Sequence, residues 1–463
     1  MLIAAVCAYV LVQLGVGWWA SRRTRGEADY FVAGRRLGLF AVSMSLFATW
    51  FGSETVMASS AAVAQEGLAG ARAEPFGYFL ALVLMGVFVA GRMRASGHMT
   101  LGDFFRARFG AQAESWCVLA NAVTSVTWAA AQMAGLSVVV SSLTDLPPQT
   151  TLAFAALCVV VYTSMGGLKG DVATDVLQGT VLLVGLAVLL AAVVARAGGP
   201  AEALDLVRPE SLALVAPGES WLARLDTWAV PVLGSLVASE AIARFLGARD
   251  ERTARRGAFA AAGLYLTAGA IPVVIGLVGA GLGLTPSAGD LWLPGLAEQL
   301  LPPALLVIFT GALLSAILST VDSNILSVSS LLTRNGFDRV RPNASERTRL
   351  TVARLFTALA GLAAWAIAAT GESIYQLIEW TSAFGTSGVL VSFLIGAYAG
   401  FGSGRAAVAS ILAGFACNLF TIVLPALGGA EETEGAFLLS VVVSLAAYLA
   451  VAALERAPRP HPA

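Results

Sequence analysis

Two neighbouring hydroxyls, Ser319 and Thr320, sit in the run Ala316-Ile317-Leu318-Ser319-Thr320-Val321-Asp322-Ser323-Asn324. Adjacent side chains on a helix project about 100° apart, so both hydroxyls can reach one point if a neighbouring unwound segment supplies carbonyl oxygens. All-oxygen ligation of that kind suits a hard monovalent cation such as Na+. Isolated Ser and Thr in membrane helices commonly bond their own i−4 carbonyl, which accounts for Ser327, Ser329 and Ser330 but not for the acid Asp322. Carbonyls are freed where a helix breaks, and the sequence predicts two breaks. One is centred on Gly52 and Ser53 in the run from Ser45 to Thr55; the other is Pro231-Val232-Leu233-Gly234-Ser235, with Glu240 following. A packing glycine and a proline kink are the plain alternatives for either break alone.

Other chemistries are poorly provided for. There are two histidines, His98 and His461, and four cysteines, Cys7, Cys117, Cys158 and Cys417, each isolated in an apolar stretch. A histidine-based metal site, a CxxC site or a nucleophile–base pair is therefore not expected, and neither is a bound cofactor or enzymatic activity. The formal net charge is −1 and no basic stripe is present, which argues against a nucleic-acid partner.

The elements that must position these residues are membrane helices. The 463 residues are 57% hydrophobic and 12% charged, with a mean hydropathy of +0.79. About 20 apolar residues cross a bilayer, so the chain has room for a dozen or so helices and no separate soluble domain. We expect an all-α polytopic membrane protein, one transmembrane domain over 1–463, with thirteen crossings. They lie near 2–20, 37–64, 75–91, 113–142, 149–164, 172–195, 227–245, 257–283, 302–331, 350–369, 374–399, 405–427 and 435–454. The first run lacks a basic n-region and a small-residue cleavage site, so it reads as a retained helix. When loops alternate between sides, one side holds only Arg72, Arg196, Arg208 and Arg224, and the remaining 24 of the 28 basic residues fall on the other. By the positive-inside rule this predicts the N-terminus outside and the C-terminus inside. Two broken helices five crossings apart are the mark of an inverted-repeat transporter whose unwound segments meet near the midplane.

At these residues the chain resembles the sodium:solute symporter family, whose core is a five-plus-five inverted repeat. The resemblance runs from about Asp29 to Gly400. It is carried by Asp29-Tyr30-Phe31-Val32-Ala33-Gly34-Arg35, Ser45-Leu46-Phe47-Ala48, Tyr162-Thr163-Ser164-Met165-Gly166-Gly167-Leu168, Thr174-Asp175-Val176-Leu177-Gln178 and Ser319-Thr320-Val321-Asp322-Ser323-Asn324-Ile325-Leu326. It implies repeats over 37–195 and 227–399, an extra helix over 1–20 and two C-terminal helices over 405–454. It further implies a Na+ site made by the carbonyls of Ala48, Phe51 and Ala316 with the hydroxyls of Ser319 and Thr320. Asp175 would be the acid near the intracellular sodium route, with Asp322 on the same ion pathway; as a plain alternative, Asp175 caps the start of its helix.

Within the family the choline-transporter branch is the most similar: Ala48-Thr49-Trp50-Phe51-Gly52, Pro75-Phe76-Gly77-Tyr78 and Trp128-Ala129-Ala130-Ala131 match its core helices. Trp50, Tyr78 and Trp128 would be walls of an aromatic cage for an organic cation, each ring contributing about 2 kcal/mol when desolvated. Two tryptophans of that branch are replaced by Ala238 and Ile378, and the chain carries Glu54, Glu240 and Glu379-Trp380 instead. Fewer rings and more carboxylates fit a cation carrying N–H donors. The plain alternative for Glu240 is an i,i+4 pair with Arg244.

The expected function is Na+-coupled symport of a small organic solute by alternating access, choline or another organic cation. One rival keeps the fold but carries a proline-like or monocarboxylate solute. Another is a membrane sensor that binds solute without transport, against which stands the short polar tail from Glu455 to Ala463. One lysine, Lys169, against 27 arginines points to a GC-rich bacterial genome and hence a cytoplasmic (inner) membrane. The expected partners are Na+, the solute and the lipid bilayer; no surface specifies an oligomer.

Overall fold

The computed structural model describes residues 2–22, 24, 26–144, 146–284, 289–370, 381, 386–428 and 433–456. Among these residues every regular element is helical, and the one bridge outside a helix joins Leu37 to Ala248. Eight helices are long and apolar enough to cross a membrane, and the bent pair Trp221–Val237 and Ser239–Gly247 makes a ninth such span. Each expected crossing overlaps a described helix, the eleventh only through its second half, Thr386–Ala399.

The fifth and sixth expected crossings form one continuous helical run, Pro148–Ala197, turned at Gly167. Gly167 has φ +56°, and a Cβ there would lie 2.7 Å from the Tyr30 carbonyl, so the turn requires glycine. The predicted first break is present. Leu39–Trp50 ends at Phe51, and the helix restarts at Glu54–Ala58 and continues as Ser59–Glu66. A Cβ on Gly52 would meet Gln132 Oε1 and Glu54 Oε2, each at 2.7 Å. The backbone N–H of Ser53, freed by the break, donates to Gln132 Oε1 at 2.8 Å. The second break is also present, but its pivot lies beyond the predicted Pro231–Ser235 run: Ala238 adopts an extended conformation, and the two helices around it meet at a 44° bend.

Loops expected on the same side touch one another. Glu27 reaches Arg349 at 3.3 Å, Asp338 meets Arg334 at 3.4 Å and Arg349 at 3.2 Å, and Glu114 accepts from Asn335 at 2.7 Å and pairs with Arg339. Arg94 Nη2 donates to the carbonyl of Arg249 at 3.1 Å, joining two more loops of that set. In the other set, Arg224 donates to the carbonyl of Ala69 at 3.1 Å, and Asp226 accepts from the backbone N–H of Leu438 at 2.7 Å. The alternation derived from arginine positions therefore matches the way the loops group.

One arginine counted among the loop charges is not a loop residue. Arg244 is fully buried. Removing it leaves 23 basic residues against 4, so the charge asymmetry stands.

Candidate functional site

The break at Gly52 and the helix Pro303–Leu332 cross face to face. Ser45, Ala48 and Thr49 share one face of Leu39–Trp50, at i, i+3 and i+4, and Ser319 and Ser323 share one face of the partner, at i and i+4. Ser319 Oγ lies 2.8 Å from the Ala48 carbonyl, and Thr49 Oγ1 lies 3.2 Å from Ser323 Oγ. Ser319 Oγ is also 2.9 Å from the Ser315 carbonyl and 3.0 Å from the Ala316 carbonyl, while Thr320 Oγ1 donates to Ala316 at 3.1 Å. One hydroxyl carries one proton, so it satisfies one of these three acceptors at a time. Local i−4 bonding explains Ser315 and the Thr320 bond but not Ala48, which is 271 residues distant in sequence. A surplus of converging carbonyl oxygens beside two hydroxyls is a donor set suited to Na+. Among the described residues neither hydroxyl bonds Phe51, whose ring packs on Phe47 and Tyr265 with centroids 5.1 and 5.3 Å away.

Toward the C-terminal end of the Ser319 helix lies a buried charged group only half foreseen. Asp175 and Asp322, both expected on an ion route, share it with Asp171 and Arg244; one carboxylate oxygen from each of the three acids lies within 4.8 Å of the other two. Arg244 donates to Asp171 at 2.5 Å, to Asp175 at 3.1 Å, to Ser45 Oγ at 3.0 Å and to Ser323 Oγ. Asp322 accepts from the Tyr162 hydroxyl at 2.9 Å, and Asp175 accepts from Ser45 Oγ. Two plain alternatives fall here. Asp175 lies well inside its helix facing Ser45 and Arg244, so it is no helix cap. Arg244 meets Glu240 through the backbone carbonyl at 3.0 Å, not through the carboxylate, because two aspartates already hold its guanidinium. The i,i+4 spacing of Asp171 and Asp175 was the available signal for the missed member.

Above the crossing is a cavity of about 260 Å³. Its walls run from Asn324 and Trp50 to Arg72, Asp226 and Thr433, residues of the second loop set. Asn324 belongs to the Ser319 helix and donates to the Thr320 carbonyl at 2.8 Å. Trp50, Glu54, Tyr78, Trp128 and Glu240 all line this cavity, as do Ala238 and Phe437. Trp50 and Tyr78 stand 5.6 Å apart between centroids, and the Trp50 indole donates to Glu240 at 3.0 Å. Trp380, with Ile378 and Glu379, lies outside the described residues. Sequence reasoning missed Glu74 and Tyr265. Tyr265 lies 3.1 Å from Glu74 Oε2 and 2.7 Å from Thr55 Oγ1, and its ring is 5.6 Å from that of Tyr78. Glu74 precedes Pro75 in an expected loop, and nothing in its local pattern marks it as buried.

The profile of the sodium:solute symporter family matches residues 30–414. The human high affinity choline transporter 1 is 31% identical over 404 residues, which cover 81% of this chain and 69% of that protein. The chain belongs to the sodium:solute symporter family. The symporter chain is also 28% identical to the Drosophila melanogaster high-affinity choline transporter 1, over 81% of its own length and 63% of that relative's. In three dimensions it is similar to a Na+-coupled sialic acid symporter solved in a substrate-bound outward-open state, with a TM-score of 0.84, 19% identity, and coverage of 100% of this chain and 99% of that one. The fold is thus that of a helical membrane transporter. The family and these neighbours are transporters, not enzymes.

Proposed function

We propose that this symporter couples the entry of Na+ to the uptake of a small organic solute, with an organic cation the cargo its cavity supports best. The observation that carries the reading is the Ser319 hydroxyl set against the Ala48 carbonyl of a broken helix, directly beneath a cavity walled by aromatic rings and carboxylates. Na+ binds to Ala48, Phe51, Ala316, Ser319 and Thr320, replacing the hydroxyl proton as partner of the carbonyls. It thereby ties the break to the Ser319 helix and sets the cavity above for solute. The solute binds among Trp50, Glu54, Tyr78, Trp128, Glu240 and Trp380. Rocking of one helix bundle against the other then closes the Arg72 side and opens the side carrying Glu27, Asp338 and Glu114, and Na+ leaves past Asp322 and Asp175.

The finer architecture belongs to the same proposal: thirteen crossings, inverted repeats over 37–195 and 227–399, and a multi-pass position in a cytoplasmic membrane. The N-terminus and the Arg72 loops face outside, so the cavity is outward-facing. At 100 mV each Na+ entering adds about 2.3 kcal/mol, enough for roughly a 50-fold solute gradient. Choline, named for the two relatives, is one candidate. A monocarboxylate is less well served, because the wall carries four acids, Glu54, Glu74, Asp226 and Glu240, against one arginine, Arg72.

Uptake of a panel of radiolabelled cations and monocarboxylates into proteoliposomes tests the reading, with an inward Na+ gradient and then with K+ replacing Na+. Accumulation of a cation that collapses in K+ is expected; uptake indifferent to the replacement would overturn the coupling.

A further inference from the structure

The cavity wall holds four carboxylates, Glu54, Glu74, Asp226 and Glu240, and their oxygens are not equally satisfied. Asp226 accepts from the backbone N–H groups of Phe437 and Leu438. Glu74 accepts from Tyr265 at 3.1 Å and from Thr55 at 3.3 Å. Glu240 Oε1 accepts from the Trp50 indole at 3.0 Å. Glu54 Oε2 accepts from Gln132 Nε2 at 2.5 Å, whereas Glu54 Oε1 is buried and has no hydrogen-bond partner among the described residues. The Glu54 residue is only 7% exposed.

A buried carboxylate oxygen without a donor carries a desolvation cost that an arriving N–H recovers. Gln132 makes the orphan a fixed feature rather than a loose rotamer. Its amide N–H holds Oε2, its carbonyl takes the Ser53 N–H, and the missing Cβ at Gly52 lets both groups come close. The acceptor is therefore set by the same helix break that supplies Ala48 to the ion site. A trimethylated ammonium has no N–H to give it and must gain its energy from ring faces. Here the lining rings are Trp50, Tyr78, Trp128 and Phe437, and Ala238 offers no ring.

We infer that Glu54 is the residue that selects the solute, and that the solute is a primary or secondary ammonium or an amidinium-type cation whose N–H donates to the Glu54 carboxylate. Gln132 is the positioning residue that aims the carboxylate. This inference rests on the organic-cation reading above, and deepens it by choosing between methylated and N–H-bearing heads.

The test is a methylation series of constant skeleton: ethanolamine, N-methylethanolamine, N,N-dimethylethanolamine and choline, with guanidinoethanol as the amidinium member. Binding to the purified full chain in nanodiscs with saturating NaCl is measured by calorimetry. The dissociation constant is expected to rise at least about tenfold from ethanolamine to choline. Glu54→Gln is expected to weaken ethanolamine by a similar factor and choline by less than about threefold, with a thermal midpoint check that the variant is folded. The wild-type series stands even where that variant does not fold. Choline binding as tightly as ethanolamine, or more tightly, overturns the role of Glu54 while leaving the organic-cation reading intact. No binding by any member of the series overturns the organic-cation reading, and this inference with it.

Discussion

The indole N–H of Trp50 donates to Glu240 Oε1 at 3.0 Å, linking the helix broken at Gly52 to the pair bent at Ala238. Both residues line the cavity, so the bond couples the two interrupted elements at the point where solute would sit. Trp50→Phe keeps an aromatic face and removes the donor. It is expected to raise the solute concentration for half-maximal uptake about tenfold, equivalent to roughly 1.4 kcal/mol, without altering the Na+ dependence. Paired solute and Na+ titrations of uptake read both quantities; a change confined to the Na+ curve would place Trp50 in the ion site instead.

Arg244 is the sole cation among Asp171, Asp175 and Asp322 in the described structure. Removing one partner of a buried ion pair leaves an uncompensated charge and costs about 3–5 kcal/mol. Arg244→Ala is therefore expected to lower the thermal midpoint in detergent sharply, and Asp171→Asn in the same background to recover part of the loss. A midpoint for Arg244→Ala equal to wild type would show that the acids have another counter-charge.

Gln132 serves the break through both ends of its amide, at Ser53 N and Glu54 Oε2. Gln132→Leu keeps the bulk and abolishes both hydrogen bonds, leaving two buried polar groups unpaired at about 1–3 kcal/mol each. Loss of Na+-dependent uptake with retained membrane insertion is the expected outcome. Uptake at the wild-type rate would mean that the break holds itself.

The loop set around Glu27 is joined through Arg349 at 3.3 Å and the Asp338 pairs with Arg334 and Arg349, and in the proposed cycle these pairs hold that side closed. Glu27→Gln and Asp338→Asn together should favour opening on that side. A cysteine placed at Ser45, one turn before Ala48 and Thr49 on the same helix face, is expected to react severalfold faster with a thiol reagent supplied from that side. Unchanged labelling would show that these pairs do not hold the closed state.

The helices, their order and the grouping of their loops were legible because apolar length and arginine placement are strong, local signals. The crossing of Ser319 with the broken helix was legible for a related reason: Ser319 and Thr320 are adjacent polar residues in an apolar run, and Gly52 with Ser53 interrupts another. What escaped were long-range partnerships. Arg244 reads as a loop charge at the end of a span until the fold sets it 2.5 Å from Asp171, 73 residues away. Glu74 and Tyr265 lie 191 residues apart, and no periodicity in either segment announces their contact. The Ala238 pivot lacks the obvious glycine or proline, which drew attention to Pro231 instead.

The most direct test of the account is the Na+ dependence of solute uptake by proteoliposomes carrying wild-type protein or Ser319→Ala. The hydroxyl 2.8 Å from the Ala48 carbonyl is taken as a ligand of the coupling ion. The variant is predicted to need at least about tenfold more Na+ for half-maximal uptake, roughly 1.4 kcal/mol of lost ion binding, while ranking solutes as the wild type does. Superimposable Na+ curves for the two proteins would contradict the assignment of this crossing as the sodium site.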